Sequence, residues 1–536
     1  MWAMSYNLLD EKWIPVLYRD GRAGRVVSLV DCLRDAHEIS ELREQSPIMV
    51  CSLYRFVIAV VHWLDGSGPQ APVQRAGLLA AGQMPSAWLE KLAEYRTHFD
   101  LLSVDRPFLQ DAELSKELAK CIGEGQRNWA HGDERMEAKP AAYLATEIPT
   151  STYKAHFWHS LDEESRLCLR CCVNSMLTLP AFCTGVGQGN ETSINDVPPV
   201  YFLIQGRSLL ETIAQNLPAQ HVSGDVPAWE GMKGISDQIG PLEGLTWRPR
   251  RIALLPDLCL GKTCDRCGET QLPTVHDIVF VAREGKKRDD TRLEAWRDPH
   301  VARKMVKKGK RQQWVGVQAE VDPLAWIGRV EAVLQKSDGE YQAAENIEAV
   351  LPCEGDSIDV RTFMLVSDRA NFEHWGEERW LLSKASVADV NRRAGLLAAL
   401  GGTRAGVEKL VEGWPERVWQ LRYPGKRVGK SVRKAWKQGR EAAAMRQCVY
   451  ELSGRLRDWL CVKLAGMDAV DQKTLGDELH SIFVTHTRAV AKETLLALSG
   501  ENNAMVRERL GVEAEALIQE AGAVARGRVA LRRRRA

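Results

Sequence analysis

Two pairs of cysteines are spaced like the ligands of a structural metal ion. Cys168 and Cys171 form one C-x-x-C pair, and Cys264 and Cys267, followed by Gly268, form the other. Two thiolates at this spacing can chelate one ion, and four complete a tetrahedral zinc site that leaves no position for water. We therefore expect a structural zinc site if the fold brings the pairs together. The alternatives are cysteines that line a helix core, or a redox pair, which the lack of a surrounding βαβ pattern disfavours.

The C-terminal part of the chain is basic. Residues 376–536 carry a formal charge of about +11 and the preceding residues about −10, although the whole chain has a charge of +1. One segment without any acidic residue contributes most, through Arg422, Lys426, Arg427, Lys430, Arg433, Lys434, Lys437 and Arg440. With Tyr423 and Trp436 interleaved, it could bind phosphates and pack on bases. The alternative is a solvated helix face.

Glycines alternate in a short segment that begins at Thr184. Gly185, Gly187 and Gly189 are each separated by one residue. Because glycine has no side chain, such a segment can approach another backbone or a nucleic-acid groove closely. An ordinary flexible loop would have the same composition, so both interpretations stay open on the residues alone.

Two other patterns resemble catalytic motifs but are incomplete. Gly425 to Ser431 has three residues where a nucleotide-binding Walker A loop has four, and no apolar strand precedes it. His276 and Asp277 could belong to a metal phosphohydrolase, but no second histidine or acidic cluster accompanies them. We therefore expect a core or loop histidine, and a protein that is not itself an enzyme.

Two kinds of architecture must position these residues. Up to about residue 371, short apolar stretches separated by glycine, proline and aspartate are typical of α+β proteins. Apolar residues then recur at helical spacing in four segments, Glu377 to Trp414, Lys430 to Ala465, Asp471 to Leu498 and Asn503 to Ala530. We predict an α+β fold with a large, irregular, mixed domain over 1–375, which contains the zinc-stabilised region, and an all-α, basic four-helix bundle over 376–536.

The composition indicates a cytoplasmic protein. The first residues lack the basic and apolar pattern of a secretory signal, and the apolar run from Ile48 to Leu64 is interrupted by Arg55 and His62. Its length and polarity suit a buried helix better than a bilayer span, so we expect no membrane contact. In a reducing compartment, thirteen cysteines are not expected to form disulfides.

Several segments together identify a family resemblance. They are Asn7 to Val16, Asp105 to Gln110, the two C-x-x-C pairs, Leu179 to Phe182 as an apolar turn before the glycine loop, Ser193 to Pro199, and Trp296 to His300. On these residues the chain resembles the CasA family, the large subunits of type I-E CRISPR Cascade complexes. The resemblance covers nearly the whole chain, and the helical C-terminal part matches in character only.

The resemblance implies a DNA-reading function, with two elements that contact the groove and a loop that docks on RNA. A short PAM in duplex DNA would be tested mainly from the minor groove, while guide RNA on other subunits reads the remaining sequence. The implied groove contacts are Thr184, Gly185 and Gly187 in the glycine loop and Lys287 as a lysine finger, with Lys286 and Arg288 as the alternatives for the finger. A loop from Thr152 to Ser160 would dock on the 5′ end of the RNA, with Phe157 as its aromatic contact.

The wedge that would open the first base pairs departs from the family pattern. Family members tend to have a polar Asn-Gln-like tip, whereas this region reads Asp368-Arg-Ala-Asn-Phe372. Asn371 is our choice for the wedge, with Arg369 and Phe372 beside it. A phenylalanine here could stack on an opened base step.

The resemblance also implies partners. These are PAM-containing double-stranded DNA, the CRISPR RNA, the other Cascade subunits and a helicase-nuclease that docks on this subunit once the R-loop is complete, all in antiviral defence. Lys430, Lys434 and Lys437 would hold displaced DNA. Two alternatives come from other functional classes: a metal-dependent nuclease, and a zinc-stabilised scaffold that binds only protein.

Overall fold

A computed structural model describes most of the chain. The described residues are 5–22, 24–66, 71–145, 165–184, 192–231, 236–283, 290–308, 311–320, 322–335, 340–350, 356–368, 371–424, 429, 440–466, 472–498 and 504–531. Two compact units are present. The first comprises Met1–Ala302, Ala344–Val350 and Val360–Arg379, and the second Arg303–Ala343, Leu351–Asp359 and Trp380–Ala536. The chain therefore passes between the units more than once.

Helices and strands are mixed, and the long helices lie at the C-terminus. The helices are α1 Leu29–Arg34, α2 Pro47–Asp65, α3 Ala71–Ala81, α4 Ser86–Glu94, α5 Ala112–Gly123, α6 Leu169–Phe182, α7 Leu209–Asn216, α8 Pro241–Leu245, α9 Ala325–Leu334, α10 Glu345–Val350, α11 Lys384–Ala388, α12 Val390–Arg422, α13 Arg440–Ala465, α14 Gln472–Leu498 and α15 Ala504–Leu531. The expected mixed fold with a helical C-terminal region is confirmed.

The strands form small antiparallel sheets. They are β1 Ile14–Tyr18, β2 Arg25–Val27, β3 Ile39–Leu42, β4 Asn128–His131, β5 Glu134–Glu137, β6 Lys139–Pro140, β7 Leu167–Cys168, β8 Tyr201–Ile204, β9 Arg250–Asp257, β10 Thr274–Ala282, β11 Arg303–Lys308, β12 Arg311–Gly316, β13 Tyr341–Gln342, β14 Ser357–Asp368 and β15 Asn371–Ser383. The sheets have the orders β2-β1-β3, β6-β10-β7 with β9 on β10, β12-β11-β13, β15-β14-β8 and β4-β5.

Helix α2 is the centre of the first unit. Its start is fixed by Ser46, whose hydroxyl accepts a hydrogen bond from the Met49 amide, and by Pro47 at the first helical position. Gly66 ends it in the left-handed conformation, with φ 57°. The helix is long and apolar enough to cross a membrane, but 89% of its most apolar window is buried inside the structure. It is packed as a core helix, as the interrupted apolar run predicted.

The long helices of the second unit pack closely. Helix α12 packs against α15, α15 against α14, and α14 against α13. Gly402 on α12 permits this approach, because an added Cβ atom would lie 2.4 Å from the carbonyl oxygen of Ala525 on α15. Small residues at the contact let two helix backbones come together.

Three boundaries differ from the sequence expectation. The first long helix begins at Val390 rather than Glu377, because the preceding residues belong to β15, where Trp380 is buried and Leu381 exposed with the period of a strand. The same helix continues through Pro415, since Trp414 and its apolar neighbours one turn away are buried on both sides of the proline. Leu179 to Phe182, expected as a turn, form the last turn of α6.

Candidate metal centre and nucleic-acid interface

The two cysteine pairs meet in the first unit. The Sγ atoms of Cys168, Cys171, Cys264 and Cys267 all lie within 4.8 Å of one another, and those of Cys168 and Cys267 are 3.6 Å apart. Four sulfurs around a zinc ion at about 2.3 Å would be separated by about 3.8 Å. The donor set and its spacing therefore fit a structural zinc ion, which these four residues would hold.

The local backbone structure around each cysteine pair positions its side chains near those of the other pair. Cys168 ends β7, where it pairs with Thr274 of β10, and the helix that carries Cys171 begins directly after it. On the other side, Gly268 has φ 73° and its amide donates to the Cys264 carbonyl at 2.9 Å, which closes a tight turn around the second pair. A glycine is favoured there because few other residues adopt this conformation.

Hydrogen bonding among the four thiols moves their pKa values in opposite directions: those of Cys168 and Cys171 are raised, and those of Cys264 and Cys267 are lowered. Hydrogen bonds from the Cys168 thiol lower the pKa of Cys264 to about 6 and lower the pKa of Cys267 as well. Thiolates are the form in which cysteine binds a metal, so a bound ion would displace the protons that remain. With four protein ligands, the ion would stabilise the fold and offer no open position for a substrate.

The pair His276 and Asp277 does not build a second metal site. His276 Nδ1 lies 3.1 Å from the Ser165 carbonyl oxygen, and Asp277 is paired with Arg127. Within the described ranges of the chain, the four cysteines are the one group of three or more potential ligands close enough to hold an ion. These contacts make His276 and Asp277 structural residues of β10.

Thr184 is the one predicted groove contact of the glycine loop that lies within the described residues. It follows α6, and its carbonyl oxygen accepts a hydrogen bond from Arg250 at 3.3 Å. The segment ends are also joined to each other, because the Ser193 amide donates to the Cys183 carbonyl at 2.8 Å. Gly185 and Gly187 lie outside the described residues. We name residues 182–184 and 192–195 the entering and leaving stems of the loop.

Arg250 is a residue that sequence reasoning missed. It is buried at the start of β9, pairs in register with Ala282 at the end of β10, and its guanidinium lies 5.5 Å from the centre of the Phe280 ring. Two adjacent arginines, Arg250 and Arg251, before the apolar part of a strand were the available signal, because a buried guanidinium needs a partner. Its partner is the entering stem of the loop.

The predicted wedge belongs to a long hairpin. Asn371 and Phe372 begin β15, directly after residues 369–370, and their backbones are described while their side chains are not. Arg361 on β14 fixes the hairpin within the first unit, through Glu377 at 2.7 Å and Gln205 at 2.9 Å.

The remaining predicted contacts lie outside the described residues. They are Phe157, Lys287, Arg369, Lys430, Lys434 and Lys437. The segment that contains Lys287 is bounded by Arg283, whose guanidinium lies 4.0 Å from the centre of the Trp247 ring, and by Asp290, which pairs with Arg292. Both of its ends therefore join well-packed structure.

The family model of CRISPR-associated protein Cse1 matches residues 7–503. The chain belongs to the Cse1 family. The CasA/Cse1 protein of Thermus thermophilus is 28% identical over 275 residues, which cover 47% of this chain and 49% of that protein. The match thus spans about half the length of that curated Cse1 relative. The resemblance inferred from the sequence motifs is confirmed at the level of the family.

Solved structures of Cse1 proteins share the fold over nearly the whole chain. Cse1 from Acidimicrobium ferrooxidans has a TM-score of 0.70 at 21% identity, with 98% of this chain and 99% of that chain covered. CasA (Cse1) from Thermus thermophilus has a TM-score of 0.69 at 20% identity, with 97% and 99% covered. A chain of a CRISPR RNA-guided surveillance complex has a TM-score of 0.63 at 16% identity, with 94% and 99% covered.

Proposed function

We propose that this Cse1-family protein is the DNA-binding large subunit of a CRISPR RNA-guided surveillance complex in the cytoplasm. It would recognise the PAM from the minor groove, help to open the duplex for R-loop formation and present a docking surface to a recruited helicase-nuclease. Its partners would be target DNA, the CRISPR RNA and the other subunits. None of these steps needs a catalytic residue in this chain. The family match and the fold shared with a surveillance-complex chain support the proposal.

The observation that carries the proposal is that the segments flanking three predicted DNA contacts are joined to one another in the first unit. Arg250 bonds Thr184 at the entering stem and pairs with Ala282, just before the segment that contains Lys287. On the other side, the leaving stem runs into β8, in which Tyr201 pairs with Phe363 of β14. The three elements are therefore anchored on adjoining residues of the first unit.

The direction of the hairpin also supports the proposal. Since β8 and β14 are antiparallel and Phe363 pairs with Tyr201, β14 continues past Phe363 in the direction from which the chain enters β8. From Phe363 to Asp368 a strand covers about 17 Å, at roughly 3.3 Å per residue. The hairpin thus carries Asn371 toward the side from which the leaving stem comes. This arrangement supports Asn371, with Arg369 and Phe372, as the wedge.

The two parts of the chain would have different functions in DNA binding. Residues 1–375 would recognise the PAM and dock on the complex, with Phe157 against the RNA, while the basic residues of 376–536 would hold displaced DNA. Arginine and lysine release counterions when they bind phosphates, and minor-groove contacts distinguish mainly A·T from G·C pairs. The zinc ion would stabilise the framework.

The proposal is tested with single lysine variants of the assembled complex. Lys287→Ala should weaken binding of guide-matched duplexes that carry the preferred PAM about tenfold, without changing binding of a guide-matched single strand, which needs no PAM reading. Lys120→Ala, an exposed lysine on α5, is the matched control and should change neither. Equal affinities of the Lys287 and Lys120 variants for the PAM duplex would contradict the assignment.

The basic segment is tested by its salt dependence. Replacing Lys430, Lys434 and Lys437 with alanine should lower the slope of log affinity against log salt by about 2, as expected for three phosphate contacts with a single strand. An unchanged slope would return the segment to a solvated helix face. If complexes assembled with and without this chain bind DNA equally well, the chain is better described as a scaffold that binds only protein. Cleavage of DNA by the isolated chain with magnesium or manganese would instead establish the nuclease.

A further inference from the structure

Two sequence motifs that the proposed function leaves without a role meet inside the first unit. One is Ser193 to Pro199 and the other is Trp296 to His300. The indole Nε1 of Trp296 donates to Asn195 Oδ1 at 2.9 Å, and Asn195 Nδ2 donates to Asp298 Oδ2 at 2.8 Å. Asn195 belongs to the leaving stem of the glycine loop. Its amide is thus held from both sides, which fixes its orientation.

The far end of this network is a buried ion pair. Arg55 on α2 donates to both carboxylate oxygens of Asp298, at 2.9 and 2.8 Å, and the two side chains are 2% and 1% exposed. Although burial opposes ionisation, the Arg55 guanidinium holds the pKa of Asp298 below its usual value. A bidentate pair between a planar guanidinium and a carboxylate has a defined geometry. Arg55 therefore fixes the position of the Asp298 carboxylate to which Asn195 donates.

Helix α6, which leads into the entering stem, is tied to the same pair through Tyr201. The Tyr201 hydroxyl donates to the Ala181 carbonyl in the last turn of α6 at 2.9 Å and lies 3.2 Å from Asn195 Nδ2. The Arg55 guanidinium lies over the Tyr201 ring, 4.4 Å from its centre. The helix that leads into the glycine loop and the stem that leaves it therefore both contact one buried polar network.

We propose that Asn195, Tyr201 and the Arg55–Asp298 pair are positioning residues for PAM discrimination, and that Trp296 locks Asn195 in place. They would set the spacing and direction of the two stems between which the predicted PAM contacts lie. Hydrogen bonds weaken steeply with misalignment, so a loose stem loses discrimination before it loses general affinity. The inference rests on the proposed function and extends it to buried residues that never touch DNA.

The test uses variants of the assembled complex that each remove one polar group of the network. Trp296→Phe removes the bond to Asn195, and Tyr201→Phe removes the bonds to Ala181 and to Asn195 while keeping the ring against Arg55. The quantity measured is the ratio of affinities for guide-matched duplexes with the preferred and a disfavoured PAM. Each variant should lower this ratio about threefold, and Asn195→Ala about tenfold. Binding of a guide-matched single strand should stay unchanged.

Two buried residues away from the stems provide matched controls. Trp13→Phe removes the indole bond to the Leu8 carbonyl at 2.9 Å, and Tyr54→Phe removes the hydroxyl that accepts from the Leu42 amide at 3.0 Å. A lower ratio in the Trp296 and Tyr201 variants alone supports the inference. An unchanged ratio in all four variants, or the same loss in all four, overturns it. A wild-type complex without any PAM preference overturns the proposed function itself, and the inference with it.

Discussion

The most buried ion pairs described in the two units of this protein differ in their exposure to solvent. In the first unit, Arg55 and Asp298 are 243 residues apart in sequence and form a pair that is almost fully buried. In the second unit, the ion pairs described between the long helices are partly exposed, as for Arg417, 21% exposed, with Glu513 and Glu520.

This difference in exposure means that the two kinds of ion pair contribute differently to the structure. A buried pair is costly to form and more costly to break, so it fixes the groups bonded to it. An exposed pair between helices adds little stability and is screened by salt. The first unit is therefore built to place particular backbones, whereas the second is held by its apolar helix contacts. Four variants test this comparison, from the largest expected effect to the smallest.

The largest effect should follow loss of the metal ligands. Cys264→Ser removes one of four thiolates, and we expect the protein to lose zinc and the first unit to be destabilised by on the order of 5 kcal/mol or more. Zinc content and urea unfolding measure both quantities. Cys259→Ser is the matched control, since Cys259 is an exposed cysteine in the same loop outside the cluster. Equal zinc content in the two variants would contradict the tetrathiolate site.

Breaking the buried pair should come next. Arg55→Met leaves the Asp298 carboxylate buried without its countercharge, and we expect a loss of about 4 kcal/mol in the free energy of unfolding. Combining it with Asp298→Leu should restore part of this loss, because an apolar pair carries no desolvation cost. If the single variant loses less than about 1 kcal/mol, the pair does not fix the first unit as described.

The third test concerns pH. Burial lowers the pKa of His300 to about 4, and its Nε2 donates to the Asn216 carbonyl at 2.9 Å. Because the unfolded chain protonates this histidine below about pH 6.5 and the folded chain does not until about pH 4, stability falls across that window as the pH drops. By pH 5 the loss from this residue should be about 2 kcal/mol. In His300→Gln, the difference between unfolding at pH 7 and at pH 5 should shrink by that amount. An identical pH dependence would rule out His300 as the cause.

The smallest effect is expected in the second unit. Arg417→Ala should cost less than about 1 kcal/mol, and the cost should disappear in 1 M salt. Thermal unfolding in low and high salt measures this, with Arg488→Ala, which loses the pair with Glu515, as a parallel case. A loss comparable to that of Arg55→Met would erase the contrast between the units.

Local patterns predicted the parts of the fold whose causes are local. The C-x-x-C spacing found the four cysteines, and the helical periodicity found the long helices. Local sequence patterns do not predict contacts between residues that are distant in sequence. Arg55 was interpreted as an interruption of an apolar helix, because nothing near it in sequence indicates its partner Asp298. The predicted start of the first long helix was wrong because Trp380 to Leu382 form an apolar run too short to distinguish a helix from a strand, and in the structure they belong to a strand.

The central claim is that this chain supplies PAM reading. The most direct measurement is binding of a guide-matched duplex panel, varied in the base pairs beside the target, to surveillance complexes assembled with and without the chain. We predict that discrimination among the duplexes is present only when the chain is present, while binding of the guide-matched single strand is similar in both. Equal discrimination in the two complexes would contradict the account.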